Sequence, residues 1–351
     1  MGVDKKGRGA GLNTPNRFER FYREPVELEI KEEETSPTTH YYEDSSRTIL
    51  ARNDSPDIPF HYSLNPYRGC EHGCIYCYAR PSHEFLGFSA GIDFESKIMV
   101  KTRAPELLAQ ALRKKSWKPQ MVALSGNTDC YQPAERRLRL TRGCLEVFRD
   151  FRNPVGIVTK NALILRDLDI LKDMARLNLV NVLMSITSLK PDLIRVMEPR
   201  TSTPATRLQA IEELAKNGIP VGVNAAPIIP GLTDEEIPAI LREAAARGAT
   251  SASYILLRLP GAVEPLFLEW LQREFPDRAS RIINRINDTR SGGMSDARFG
   301  SRMKGEGEIA GMINTLFRLN TARYGLGKRW SGLSAEHFRR SGHTQAGLFD
   351  N

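Results

Sequence analysis

A chain of 351 residues, 40% apolar and 26% charged, has the composition of a soluble globular protein of one large domain or two ordinary ones. No apolar run reaches the roughly 18 residues that span a bilayer, and residues 1–25 hold no apolar leader, so membrane and secreted classes are excluded and a cytoplasmic address is expected. Five cysteines, an odd count, argue against a disulfide framework and leave reduced thiols for metal or chemistry, while a formal net charge of +8 fits either a basic solvated surface or a polyanion partner.

Residues 1–50 read as a poorly ordered arm: polar, opening with Lys5, Lys6 and Arg8 and turning acidic at Glu32, Glu33 and Glu34. From about Phe60 the texture changes to β-branched runs alternating with helix-period segments. Strands are expected at 121–125, 155–159, 180–186, 220–224 and 251–256, and helices at 105–115, 134–151, 163–177, 206–217 and 234–247, with Asn217-Gly218 and Arg247-Gly248 as helix stops. With one strand before Cys70 this makes about six strand–helix units. The expectation is an α/β fold, a partial (β/α)6 TIM-like barrel over 58–260, whose chemistry sits at the C-terminal ends of the strands. Residues 261–351 read as a mostly helical C-terminal extension, broken at Pro276 and at Ser291-Gly292-Gly293, with a helix near 309–321 and a frayed end from Ser341.

Three of the five cysteines lie within eight residues, as Cys70-Glu71-His72-Gly73-Cys74-Ile75-Tyr76-Cys77. Thiolates are soft ligands that select zinc, copper(I) or iron–sulfur clusters. A structural zinc site closes with four ligands, often from two Cys-x2-Cys pairs, and no second pair exists here. Three thiolates on one short loop hold three corners of a cubane and leave one iron open, which suits a reactive centre. Gly69 and Gly73 let such a loop bend tightly. Buried structural cysteines, or a zinc site completed by His72 or His83, are the competing readings.

The spacing Cys-x3-Cys-x-aromatic-Cys resembles the signature of the radical S-adenosylmethionine superfamily. The flanking Asn65-Pro66-Tyr67-Arg68-Gly69-Cys70 and Tyr76-Cys77-Tyr78-Ala79-Arg80 resemble the subgroup related to spore photoproduct lyase, a DNA repair enzyme; the resemblance covers roughly residues 60–260. It implies a 4Fe–4S cluster on Cys70, Cys74 and Cys77 that binds S-adenosylmethionine by its amino and carboxylate groups. It implies reductive cleavage to a 5′-deoxyadenosyl radical that abstracts a substrate hydrogen, with electrons from a donor such as flavodoxin or ferredoxin.

Through the same resemblance, polar residues at strand ends gain expected roles. Tyr76 meets the adenine. The backbone of Ser125-Gly126-Asn127 meets the methionine amino group, and Lys160 the carboxylate. Ser185 and Thr187 meet the ribose, and Asn224 the ribose or adenine. Arg200 meets the cofactor carboxylate or a substrate phosphate. In the photoproduct lyases a cysteine near the first of these strand ends serves as hydrogen donor. Cys130, which here follows Asn127-Thr128-Asp129, is the candidate, displaced by a few residues, with Tyr131 as a radical relay. Cys144 reads as a buried small hydrophobe.

Nucleic acid is the expected partner. Arg136, Arg137, Arg139 and Arg142 fall in one expected helix, and residues 297–351 carry nine Lys or Arg against four acids. Arg323, Lys328, Arg329, Arg339 and Arg340, with Tyr324 and Trp330 interleaved, extend this into an expected phosphate-binding surface. A solvated charged face explains the same residues. No membrane partner is expected. The same core acting on a small metabolite or peptide is the alternative within enzymes, and a metal-bearing nucleic-acid-binding protein the alternative outside them.

Overall fold

β-branched runs such as Val155-Gly156-Ile157-Val158-Thr159, apolar on both faces, form strands buried from both sides, and helices with one apolar stripe cover them. A computed structural model describes residues 7–18, 38–327 and 332–340. The strands are β1 (His40–Glu43), β2 (Leu50–Arg52), β3 (Tyr62–Leu64), β4 (Tyr67–Arg68), β5 (Lys97–Val100), β6 (Val122–Leu124), β7 (Val155–Thr159), β8 (Val180–Ser185), β9 (Val221–Ile228) and β10 (Ser251–Leu256). Seven form one sheet in the order β10-β9-β8-β7-β6-β3-β2. Its pairs are parallel from β10 to β3, and β2 adds antiparallel at the edge. A second sheet, β1-β5-β4, joins parallel β1 and antiparallel β4 to β5.

The helices are α1 (Ile92–Ser96), α2 (Ala104–Arg113), α3 (Glu135–Leu138), α4 (Leu140–Phe151), α5 (Leu168–Ala175), α6 (Pro191–Met197), α7 (Pro204–Lys216), α8 (Ile237–Ala246), α9 (Val263–Glu274), α10 (Ala279–Asp288), α11 (Ser301–Lys304) and α12 (Gly307–Arg323). The main core lies between the parallel strands and α2, α4, α5, α7 and α8, where Leu124, Ile157, Val182 and Val223 meet Leu108, Phe148, Ile170, Ile211 and Leu241. Each such side chain contributes roughly 1.5–3 kcal/mol on burial. A second apolar cluster joins Cys74, Ile75 and Tyr76 to α6, α9 and α10 through Met197, Trp270 and Ile282. Among the described residues no helix is long and apolar enough to cross a membrane.

The five expected strands appear, with β9 extended to Ile228. The helix expected over 134–151 is two helices. Arg139 takes the left-handed conformation (φ 51°) between α3 and α4. The cause is Glu135, fully buried, whose carboxylate accepts the N–H groups of Thr141 (3.0 Å) and Arg142 (3.4 Å) and so captures the free donors that open α4. The helix expected at 163–177 likewise starts as a tight turn, 3-10 over Ala162–Asp167, before α5.

The arm expected over residues 1–50 is corrected for 7–18 and 38–50. β1 and β2 belong to the two sheets, and Arg8, Ala10 and Asn16 are buried against the loop that carries the cysteines. Glycines and short polar side chains there use their hydrogen bonds rather than apolar bulk, which composition alone cannot register. Residues 1–6 and 19–37 lie outside the described residues, as does the end from Ser341. The extension docks on the core: α12 supplies Ile313 and Phe317 to the main cluster, and the Ala252 N–H of β10 donates to Leu326 O (3.1 Å).

A non-glycine residue held left-handed costs about 1 kcal/mol. Arg139→Gly is therefore expected to raise unfolding stability by up to about 1 kcal/mol in denaturant titration, and a loss of stability would contradict the strained junction.

Candidate active site

The cysteine loop leaves the C-terminal end of β3 through β4 and returns at the 3-10 helix Arg80–Leu86. Its backbone is tied at Cys70 N to Phe94 O (2.9 Å), at Ile75 N to Met197 O (3.1 Å) and at Cys77 N to Cys74 O (3.2 Å). Gly73 is left-handed (φ 67°), and a Cβ there would lie 2.7 Å from a Glu95 carboxylate oxygen, so only glycine fits this turn. Arg80, fully buried, holds the loop from behind. Its guanidinium donates to Cys74 O (3.1 and 2.9 Å), to Ala90 O (3.1 Å) and to Gly91 O (2.9 Å), and it pairs with the buried carboxylate of Glu95.

Burial pushes all three loop thiols up from their ordinary range, and Cys70 and Cys74 rise further because they face Asp129 and Glu198 respectively and because each lies within the field of other loop thiols. Three neighbouring soft donors, Cys70 and Cys74 buried and Cys77 half-buried, with Cys70 and Cys77 packed beside Ala79 and Phe94, fit an iron–sulfur cluster, which binds thiolates. Among the described residues no three His, Cys, Asp or Glu side chains gather around a single-ion position. The histidines proposed to complete a zinc site are otherwise placed. His72 sits between Asp129 (3.4 Å) and Asn161 (3.2 Å), and His83 packs against Phe88 and Phe94, with burial lowering its pKa to about 4.

Beside the loop, the strand ends carry a connected polar network. Lys160, after β7, donates to Ala226 O (3.0 Å) and Thr187 Oγ1 (3.3 Å) and lies 3.5 Å from Glu198. Its ammonium stands 5.7 Å from the centre of the Tyr76 ring. Thr187, after β8, donates to Glu198 or Ala226 O, and the Tyr76 hydroxyl donates to Glu198. Glu198 also accepts from Arg207, both side chains being fully buried. Burial would raise the Glu198 carboxyl, but Arg207 and Lys160 outweigh it and hold the group far below the usual carboxylate range. Asp129, after β6, accepts from Thr159 Oγ1 (2.8 Å) and from the N–H groups of Lys160 (2.8 Å) and Tyr131 (2.9 Å). Burial opposes its charge; His72 and these N–H groups more than compensate and keep it below its ordinary value.

Of the residues expected at the site, the structure brings Tyr76, Lys160 and Thr187 into one network. Ser185 and Asn224 are paired neighbours on β8 and β9; the Ser185 carbonyl accepts from Arg207 (3.1 Å) and Asn224 Oδ1 from Ser253 (2.9 Å). Ser125 is left-handed (φ 73°) and its hydroxyl accepts from Cys130 N (2.8 Å). Gly126 O accepts from the Tyr78 hydroxyl (2.7 Å), and Asn127 N donates to Asn65 Oδ1 (2.9 Å). Arg200 stands on the outer side of the loop, 3.4 Å from Glu71.

Cys130 and Tyr131 lie elsewhere. Both are fully buried in the main core, and the Tyr131 hydroxyl donates to Asp167 (3.1 Å) behind the sheet. The Cys130 N–H is held by the Ser125 hydroxyl at the strand end (2.8 Å), and the hydrogen-donor and relay roles expected of the two residues gain no support from their burial. Cys144 is fully buried in the same core. Sequence reasoning passed over Glu198 and Arg207, gave Asp129 no role, and offered His72 only as a zinc ligand. Glu198 precedes Pro199 in what reads as a helix-capping loop, and Arg207 sits in a helix otherwise lined with surface charge, so no local pattern marks them.

Removing one partner of a buried ion pair strands the other charge, at roughly 3–5 kcal/mol. Arg207→Met is expected to destabilise the fold by that amount in denaturant unfolding. A change below about 1 kcal/mol would show that the pair is not isolated from water.

Residues 64–244, just over half of the chain, match the model of the Radical SAM superfamily. An uncharacterized protein of Mycobacterium tuberculosis is 40% identical over 226 residues, 64% of this chain and 66% of that one, so the match spans just under two thirds of the relative. An uncharacterized protein of Methanocaldococcus jannaschii is 30% identical over 225 residues, 64% of this chain and 80% of that one. Among solved structures, spore photoproduct lyase complexed with dinucleoside spore photoproduct superposes with a TM-score of 0.59 at 18% identity, covering 81% of this chain and 79% of that one, a likeness of fold. With its three-cysteine loop at the end of a parallel sheet, the chain belongs to the radical SAM superfamily, enzymes that use a 4Fe–4S cluster and S-adenosylmethionine.

Proposed function

We propose that the six parallel strands act as an open (β/α)6 barrel whose C-terminal rim holds S-adenosylmethionine against the cluster, and that the substrate is a nucleic acid or one of its bases. The observation that carries the reading is the convergence of the cysteine loop with the Tyr76–Lys160–Thr187–Glu198 network at that rim. With both groups bound, cluster and cofactor supply a 5′-deoxyadenosyl radical. The chain's residues position and shield. Cys70, Cys74 and Cys77 would hold the cluster, three protein ligands that would leave a coordination position for the cofactor. Lys160, already held among acceptors, offers its ammonium to the methionine carboxylate, and Arg200, bound to Glu71 on the other side of the loop, is left for a substrate phosphate. The backbone of Ser125, Gly126 and Asn127 faces the amino group; Ser185, Thr187 and Asn224 serve the ribose, and Tyr76 the adenine. Electrons come from a small carrier such as flavodoxin or ferredoxin.

Support for nucleic acid is the net charge of +8 and the exposed Arg136, Arg137 and Arg139, where Arg137 stacks on the Tyr41 ring at 5.0 Å. The expected basic surface is smaller than the sequence suggested. Because α3 and α4 are separate, Arg136, Arg139 and Arg142 do not share a helix face, and Arg142 is bound to Asp167 (3.1 Å) and Asp169 (2.7 Å). Arg339 donates to Asp150 O (2.7 Å), and Arg340 to Lys114 O, both as staples of the chain end. Arg323 lies over its neighbour Tyr324, and Lys328, Arg329 and Trp330 fall outside the described residues. This commitment of cations to internal partners favours the second reading, a small metabolite or peptide.

Anaerobically prepared protein is expected to hold about four irons with matching sulfide, to lose them in Cys70→Ala, Cys74→Ala or Cys77→Ala, and to keep them in Cys144→Ala. Reduced with dithionite, it should convert S-adenosylmethionine to 5′-deoxyadenosine or an adduct of it. Stoichiometric zinc without sulfide would refute the reading.

Lys160→Ala removes a charge-assisted contact of about 1.5–3 kcal/mol, so cofactor affinity is expected to fall by roughly 10- to 100-fold with iron content unchanged. Unchanged affinity would displace the pocket.

If nucleic acid is the substrate, log affinity should fall linearly with log salt, by roughly 0.7–0.9 per phosphate contact, and Arg136→Gln with Arg137→Gln should flatten the slope. No binding at low salt would put the small-substrate reading ahead.

A further inference from the structure

Residues 7–18 lie across the outside of the cysteine loop and, among the described residues, bond mainly to that loop and to the segment 84–95 behind it, with Arg8 also donating to Thr39 (3.0 Å). The N–H groups of Gly9 and Ala10 donate to the two oxygens of Glu95 (3.0 and 2.9 Å), and Arg8 donates to the Glu95 carbonyl (2.6 Å). Glu95 is the carboxylate that pairs with Arg80, and Arg80 clamps Cys74 O. Two further anchors follow. Asn13 exchanges hydrogen bonds with Asp93 (3.2 and 3.1 Å), and Asn16 donates to Glu84 O (2.9 Å) and Phe88 O (3.2 Å).

The contact is closer than side chains permit. A Cβ on Gly9 would lie 1.8 Å from Gly73 O, and one on Gly91 would lie 2.1 Å from Leu12 O. Backbone against backbone at this distance leaves no room for water between the segment and the turn that presents Cys74. Ala10 is fully buried and packs in the same apolar cluster as Cys74, Ile75 and Tyr76, and Leu12 packs against it.

We propose that residues 7–18 form a strap that is part of the cluster site: they hold the Gly73–Cys74 turn in place through Glu95 and exclude water and oxygen from the outer side of the cysteines. The proposal rests on the cysteine loop holding a cluster. Its physical basis is local. The strap completes the hydrogen bonding of a buried carboxylate whose other partner fixes the loop, so its departure leaves Glu95 short of donors and uncovers the apolar neighbours of Cys74. It contributes nothing to the main core between sheet and helices, so its release opens the site without unfolding the domain.

The test is Gly9→Val in the full chain, with Gly91→Ala pressing on the same contact from the other side should the first variant fold poorly. Iron and sulfide are measured first; a parent protein without them refutes the cluster reading and not the strap. The rate at which air bleaches the visible charge-transfer absorption is then compared with the parent's, alongside thermal melting. A core variant, Ile170→Val, serves as a control for general softening. The strap predicts bleaching faster by about tenfold or more, with the melt close to the parent's and faster trypsin cleavage after Arg17; tenfold corresponds to about 1.4 kcal/mol of local opening. Loss of cluster uptake with an unchanged melt supports the same role. Bleaching at the parent's rate, or acceleration no greater than in a core variant of equal melting temperature, would overturn it.

Discussion

The site depends on one buried ion pair. Arg80 and Glu95 are both removed from water, and neither is tolerable there alone. Together they satisfy each other and nearly all their remaining hydrogen-bonding groups with backbone: Arg80 with the carbonyls of Cys74, Ala90 and Gly91, Glu95 with the N–H groups of Gly9 and Ala10. Three segments are thereby fixed to one another: the N-terminal strap, the cysteine turn and α1 with the residues that lead into it. A loop that must present three thiols in a set arrangement has no regular secondary structure to hold it. The charged pair supplies the rigidity that a helix or strand would otherwise give.

The rim uses the same device a second time. Glu198 and Arg207 are buried as a pair, and around Glu198 are gathered Tyr76 from the cysteine loop, Lys160 from the end of β7 and Thr187 from the end of β8. Asp129 does the equivalent job one strand over, drawing His72, Thr159 and the Lys160 backbone together. Each carboxylate is kept ionised by its cations and N–H donors in spite of burial. Strand ends that would otherwise splay are tied into one surface, which suits a cofactor that must lie still while a radical forms beside it.

Much of this was legible in the sequence, for reasons particular residues make plain. β7 and β10 read correctly to the residue, β7 because it is a β-branched run and β10 because its Tyr254-Ile255-Leu256 end follows the Arg247-Gly248 helix stop. The cysteine spacing is so specific that three residues identify the centre. Lys160 and Thr187 could be named because the resemblance gives roles to polar residues that follow strands of the parallel sheet. What could not be read depends on partners far away in sequence. Glu135 splits one expected helix into two by capturing the next helix's first N–H groups. Glu198 and Arg207 look like capping-loop and surface residues until the fold buries both. Cys130 follows a rim turn yet turns inward to the core. Residues 7–18 lack apolar bulk and so resemble a disordered arm, although glycine there serves close approach, and backbone N–H groups do the binding.

The central claim is that Cys70, Cys74 and Cys77 hold a cluster with one iron open to S-adenosylmethionine, beside Lys160. The electron paramagnetic resonance spectrum of the anaerobically reduced protein, recorded with and without S-adenosylmethionine, tests it most directly. The account predicts the signal of a single reduced 4Fe–4S cluster that shifts when the cofactor is added and shifts only at higher cofactor concentration in Lys160→Ala. A spectrum with no cluster signal, or one that the cofactor leaves unchanged, would contradict it.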